Sequence, residues 1–325
     1  YDKVTAAAQQ VKELGYELEE NYSDAISKSL QNGNRETILQ YTFDYANDIV
    51  HSFNYYYTPG GDYTLIESKG GAYGVPTQEL VESYEYAVSG GFPDWTEWHN
   101  PSGTVKTPPY ALLEPRFQAT ILYNGAEWKG RKIEPYVGGT DGWAVWKTEK
   151  EPKGKTVTGY YLRKLVDESY DVSISSSSQN FVFLRYAEVL LNAAEAYVKG
   201  SPANEAEANA ILRKIRARVG LPYVDKSGND LWKAIVQERK VELAFEGLRY
   251  WDLRRWGLAS EDYPTGLANY QQHGLKIEKN GENFVYSYVS VDEKDRTFTT
   301  KLYRFPMPES ELNSNKLFDQ YEEWK

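Results

Sequence analysis

Two stretches of the chain gather residues that could do chemistry. The first, KVELAFEGLRYWDLRRWG at residues 240–257, packs carboxylates, arginines and tryptophans into one short run. The second, FPDWTEWHN at residues 92–100, sets Asp94 and Glu97 beside Trp95, Trp98, His99 and Asn100. Two carboxylates flanking a sugar cleft, roughly 5–10 Å apart, are what glycoside hydrolysis needs. Rings alone serve another purpose: they stack on the apolar faces of sugars while polar neighbours take the hydroxyls.

The elements that carry these residues separate the two cases. A helix expected from about Asp230 to Glu246 has a buried face marked by Leu231, Ala234 and Ile235. Glu238, Glu242 and Phe245 fall on that same face at 100° per residue. In the helix expected over FVFLRYAEVLLNAAEAYVKG, Leu184, Ala187 and Leu191 mark the core, and Glu188 and Glu195 lie within it. A buried carboxylate without a partner is costly, so each must meet a donor. Arg185, Arg239, Arg249, Arg254 and Arg255 are the arginines near in sequence. This spacing predicts a structural ion-pair network rather than an active site. A di-iron bundle would want Glu-x-x-His, and no histidine is near.

The whole chain narrows the function classes. A net charge of -10 argues against a nucleic-acid binder, which needs a basic surface for phosphates. There is no cysteine, so disulfides, thiolate metal sites and cysteine nucleophiles are excluded. His51, His99 and His273 lie far apart and form no metal-ligand pattern. No cofactor motif is present. Asp62 in YTPGGDY, with loop carbonyls, could offer oxygen ligands to a structural calcium ion, though the spacing matches no EF-hand. The only methionine is Met307, so the chain reads as a processed form or fragment with any targeting segment upstream.

Along the chain, residues 1–172 read as a loop-rich mixed α/β region and 173–325 as a helical region, divided by the polar run SISSSSQN. A helix opens the chain, followed by a short helix near Tyr22 to Leu30 and a strand in ETILQYTF. Residues 51–75 and 89–113 read as loops around a helix in TQELVESYEYAV. RFQATILY and WKGRKIEPY flank Asn124-Gly125 as an expected hairpin, and YYLRKLVD is a further strand. NEAEANAILRKIRARVG pairs with the preceding helix, starts at a capping box of Asn204 and Glu207, and ends at Gly220. Such helix pairs, with small residues between large ones, resemble tetratricopeptide repeats.

An ordered set of segments also resembles the SusD/RagB family of outer-membrane nutrient-binding lipoproteins. The segments are VPTQELVESYEYAVSGG, LLEPRFQATILYNGAEW, FLRYAEVLLNAAEAY, ILRKIRARVGLP, VQERKVELAFEGLRYWDLRRWG and LYRFPMPESELNSNKLFDQY, spanning about 75–322. The resemblance implies a mainly α fold: tetratricopeptide-like helical pairs with long irregular loops and a few short β-hairpins. It implies a protein anchored by a lipidated N-terminal cysteine on the outer face of the outer membrane. It further implies a non-catalytic role, capturing oligosaccharides or polysaccharides and delivering them to a SusC-type TonB-dependent transporter. Peptides or other non-sugar nutrients are the alternative cargo. The family's N-terminal part and lipidated cysteine are absent from this sequence.

Candidate ligand contacts follow from the aromatic loops. Trp95, Trp98, His99 and Asn100 come first, then Tyr55, Tyr56 and Tyr57 ahead of Pro59-Gly60-Gly61, then Trp143 and Trp146 in GGTDGWAVWK. Trp251 and Trp256 are assigned to packing, and Trp128 to packing across a sheet. For a hydrolase, Asp94 and Glu97 are the pair to consider.

Overall fold

A computed structural model describes residues 1–27, 30–66, 71–144, 154–174, 176–259, 271–291 and 298–325. The elements run α1 (Asp2–Glu13), α2 (Asp24–Ser27), β1 (Thr37–Tyr41), α3 (Phe53–Tyr57), α4 (Gln78–Val81), α5 (Pro115–Thr120), β2 (Ile121–Leu122), β3 (Glu127–Trp128), β4 (Arg131–Lys132) and β5 (Tyr161–Leu162). Then come β6 (Phe181–Arg185), α6 (Tyr186–Lys199), α7 (Glu205–Arg218), α8 (Gly228–Glu242), α9 (Arg249–Arg255), β7 (His273–Asn280), β8 (Asn283–Ser290) and α10 (Glu309–Ser314).

The helical half follows its periodicity. Ala187, Leu191 and Ala194 of α6 pack against Ala208, Leu212 and Ile215 of α7 and Leu231 and Ile235 of α8. The alanines on α6 let its neighbours approach closely. Asn204 caps α7 by accepting the Glu207 N–H, as the capping box predicts. At the other end of α7, Arg216 and Arg218 complement the helix dipole and reach the ion pairs below.

Several local expectations give way to the structure. FVFLR is a strand rather than the first turn of α6: Phe181 and Phe183 face out and Val182 in, the two-residue period of a ribbon paired antiparallel with β1. Arg116 to Thr120 form a helix, and β2 pairs with β5 rather than across Asn124-Gly125. The hairpin there is shorter: β3 and β4 turn at Lys129 and Gly130, whose φ values of 48° and 75° suit a two-residue turn. The stretch 51–75 contains α3 and a 3-10 turn at Gly60–Ile66. The long β7–β8 hairpin is absent from the sequence reading altogether.

That hairpin closes the second core. Leu275, Ile277 and Tyr286 lie over Val81, Tyr84, Phe117, Tyr160 and Val241, so residues on both sides of 172/173 share one apolar interior.

The ion-pair network is real, but its membership differs from the expected set. Glu242 is its centre, bonded by Arg185 at 2.7 Å, by Arg116 at 3.2 Å and by Arg218. Burial would push its carboxyl up, yet the Arg218, Arg185 and Arg116 guanidiniums hold it well below the usual carboxylate range. Glu238 bonds Arg116 and Arg216, and Arg216 clasps Glu85 with two bonds of 2.8 Å. Arg185 also reaches Glu36 and Glu246. Arg116, with 0% of its surface exposed, comes from α5 and so ties the loop-rich half to α8.

A second, smaller cluster joins Arg239 and Arg255 to Asp252, and Arg255 to Glu195. Three expected members are placed differently. Glu188 is half-buried, its carboxyl raised by burial. Arg254 bonds the Tyr303 carbonyl and lies over Phe305. Arg249 acts on Lys240, whose ammonium is pulled down to about 8 chiefly by burial. Helical spacing located the glutamates, and Arg185, Arg239 and Arg255 take part as expected; Arg116, Arg216 and Arg218 come from α5 and α7, outside the sequence neighbourhood.

Candidate functional site

The FPDWTEWHN loop turns its tryptophans inward. Trp95 and Trp98 are each 5% exposed, meet edge to face at 5.4 Å, and belong to the core beneath the β7–β8 hairpin. Backbone stitching explains it: Thr104 exchanges two hydrogen bonds with Tyr286, and the Tyr288 N–H donates to the Asn100 carbonyl. These bonds draw the loop onto β8 and its rings below the surface. The Trp98 indole N–H donates to the Lys106 carbonyl at 2.9 Å. Trp95 and Trp98 are thus packing residues in this structure, not displayed platforms.

Their polar neighbours are engaged as well. His99 Nε2 lies 2.6 Å from Glu82, and its ring packs on Tyr288. Asn100 holds its own turn, donating to the Gly103 carbonyl and accepting the Ser102 N–H. Asp94 is held below the usual carboxylate range first by the Thr96 hydroxyl, and Glu97 by the Lys106 ammonium. Both shifts run opposite to the raised carboxyl of a glycosidase's general acid.

The tyrosines of α3 fare differently. Phe53 and Tyr57 stack at 4.2 Å and pack inward. Asn54 is buried; it donates to Ser177 Oγ and accepts the Asp167 N–H. That leaves Tyr56 facing outward, 41% exposed, edge to face at 4.8 Å with Tyr73, which is 69% exposed. Tyr55, half-buried, meets Tyr56 at 5.2 Å and Tyr63 at 5.5 Å. The Tyr73 N–H donates to the Tyr56 carbonyl, fixing the pair through the backbone.

The surface has a firm backing. Asp62 accepts from Arg131 and the Trp128 indole, Arg131 also bonds Asp141, and Asp141 takes the Gly61 N–H at 3.0 Å. The Asp62 charge is thus compensated by the Arg131 guanidinium. Glycine is required where the loop crosses its support: a Cβ at Gly60 would lie 1.8 Å from the Gly154 carbonyl oxygen. Trp128 is buried in this support.

Trp143 is half-buried beside Thr156, and Trp146 lies outside the described residues. Tyr73, in GGAYG, escaped the sequence reading; a lone tyrosine between glycines carries no periodic signal. Trp251 departs from its assignment to packing: it is 53% exposed beside Tyr250 and Phe305. Trp256 is half-buried against Trp232.

Among the described residues, no group of histidine and acidic side chains could hold a metal ion. No described helix is long and apolar enough to cross a membrane.

Comparison with known proteins matches residues 35–324 to the model of the SusD family. A SusD-like protein of Bacteroides fragilis is 26% identical, with a TM-score of 0.77 over 99% of this chain and 61% of its own. A second from that species, described as a SusD-like carbohydrate-binding protein, is 25% identical, with a TM-score of 0.71 over 96% of this chain and 60% of its own. SusD-like protein P2 of Formosa agariphila is 41% identical over 101 residues, which are 28% of this chain and 20% of that protein. The chain thus spans about 60% of the length of these solved relatives.

Proposed function

The chain belongs to the SusD family, and from that premise we propose that it captures glycans without chemistry, for delivery to a SusC-type transporter at the outer-membrane surface. The observation that carries this reading is the exposed Tyr56–Tyr73 pair on a backing locked by Asp62, Arg131 and Asp141. Two phenol rings held edge to face offer an apolar surface to a pyranose ring, with hydroxyls at the rim. Rigid rings bind at small cost in conformational entropy. The carbohydrate-binding relative supports the ligand class. The lowering of Asp94 by Thr96 and of Glu97 by Lys106, opposite to the raised acid of a glycosidase, supports capture over hydrolysis. Trp95 and Trp98 support the loop region from within the core.

Affinity electrophoresis of the chain through plant, microbial and host polysaccharides tests this directly. Retardation by one polysaccharide, lost in Tyr56→Ala/Tyr73→Ala and kept in Trp251→Ala, is the expected result. Equal retardation of the double variant would place the site elsewhere. No retardation of any form would end the glycan reading and turn attention to peptide or other nutrients.

A further inference from the structure

Two cavities adjoin beside the β1–β6 ribbon, one of about 640 Å³ and one of about 220 Å³. They share Leu165, Gln179 and Asn180 as lining residues, so they form one cleft with two ends. The combined volume lies within the range of small-molecule sites. The smaller end is walled by the rings of Phe43, Phe53 and Phe181. The larger end is lined by amides and hydroxyls, Gln40 among them, together with Arg163, Lys164, Asp167 and Glu168. Neither Tyr56 nor Tyr73 lines either end.

Three features give the cleft a built character. Leu165, at the junction, has φ of 70°, a left-handed conformation that is an outlier for a bulky residue. Such strain persists only where flanking contacts enforce it, and it gathers at ligand sites. Here the flanks are fixed: the Lys164 ammonium bonds Tyr22 Oη and Glu246 at 2.7 Å each, and the Asp167 N–H is held by Asn54.

The amides are also oriented. Asn180 Oδ1 accepts the Phe43 N–H at 3.0 Å, and Gln179 Oε1 accepts from Asn54 at 3.2 Å. Neither amino group donates to another described residue. Gln40 is reversed, donating from its amino group to Thr42 Oγ1 at 3.1 Å. The cleft thus presents two fixed donor groups and one amide acceptor beside aromatic faces. Its cations are already matched, Arg163 by Glu168 and Lys164 by Glu246. An anionic ligand would gain no unpaired counter-ion there.

We propose that this cleft is a second binding site, for a neutral oligosaccharide, with one sugar on the Phe43–Phe53–Phe181 floor and the next held by Gln40, Gln179 and Asn180. Its ligand class rests on the glycan reading above, but its location is independent of the tyrosine surface.

Isothermal titration with neutral gluco-, xylo- and manno-linked hexasaccharides tests it, on the wild-type chain, Tyr56→Ala/Tyr73→Ala, Gln40→Trp and Ser169→Trp. The last two fill the cleft from different walls, so one misfolded variant does not decide the outcome. Loss of one class of binding, by at least about tenfold, in both filling variants is expected, with the tyrosine variant retaining it. Binding lost in the tyrosine variant and unchanged in both filling variants would overturn the cleft and leave the tyrosine reading standing. No binding by any form would overturn both. Hydrogen exchange of the unmodified chain with the tightest hexasaccharide gives a reading free of substitutions. Ligand protection at 163–169 and 176–181 supports the cleft, and protection confined to 55–63 and 71–74 overturns it.

Discussion

The network around Glu242 and the surface around Tyr56 depart from ordinary side-chain placement in opposite directions. In the first, charges occupy a helix face where apolar residues belong, and every carboxylate is matched by guanidinium. In the second, two large rings remain in water. The difference teaches which departure serves the fold and which serves a ligand. Buried charge without its partner costs several kcal/mol, so the network must be complete before the halves hold together. Exposed rings cost little and can be removed with little structural consequence. A third region sharpens the contrast: Trp95 and Trp98 look from sequence like displayed rings, yet they behave like core.

The largest effect should come from Arg116→Met. It leaves Glu114, Glu238 and Glu242 short of a buried cation and should lower unfolding stability by on the order of 3–5 kcal/mol in urea titration. A loss under about 1 kcal/mol would mean that the network does not join α5 to α8 as described. Trp95→Ala comes next, with a cost of about 3 kcal/mol from the cavity left under the hairpin. A near-neutral result would return Trp95 to the surface.

Acid should act on the network before it acts on the rings. The Glu242 carboxyl is lowered in the folded chain, so its contribution is fully present above the unfolded value of about 4.3. That contribution is lost as pH falls further, through the folded value. Urea midpoints measured from pH 5 downward should therefore fall more steeply for wild type than for Glu242→Gln. Parallel curves would show that Glu242 is not the acid-sensitive centre. The smallest stability effect belongs to Tyr56→Ala/Tyr73→Ala, within about 0.5 kcal/mol of wild type. The same variant should lose polysaccharide retardation. A large destabilisation there would make these tyrosines packing residues.

How much of this was legible depended on the range of the signal. The glutamates of α8 stand out because helical period is local, and the cap at Asn204 is readable for the same reason. The β7–β8 hairpin also carried a local signal: Asn280-Gly281 between alternating Leu275, Ile277 and Tyr286. The burial of Trp95 and Trp98 follows from that hairpin, which lies far from them in sequence. Arg116, Arg216 and Arg218 were not recoverable from proximity in sequence, since they lie more than 20 residues from Glu238 and Glu242, to which they bond. Tyr73 depends on a backbone bond to Tyr56 across the loop.

By itself the sequence determined the helical pairs, the buried glutamates and the family, because amphipathic period and an ordered set of motifs survive without coordinates. Only the tertiary structure decided which arginines answered those glutamates and which aromatic rings met water. Both outcomes depend on segments brought together from far apart in the chain. A residue's own neighbours in sequence cannot say what will cover it.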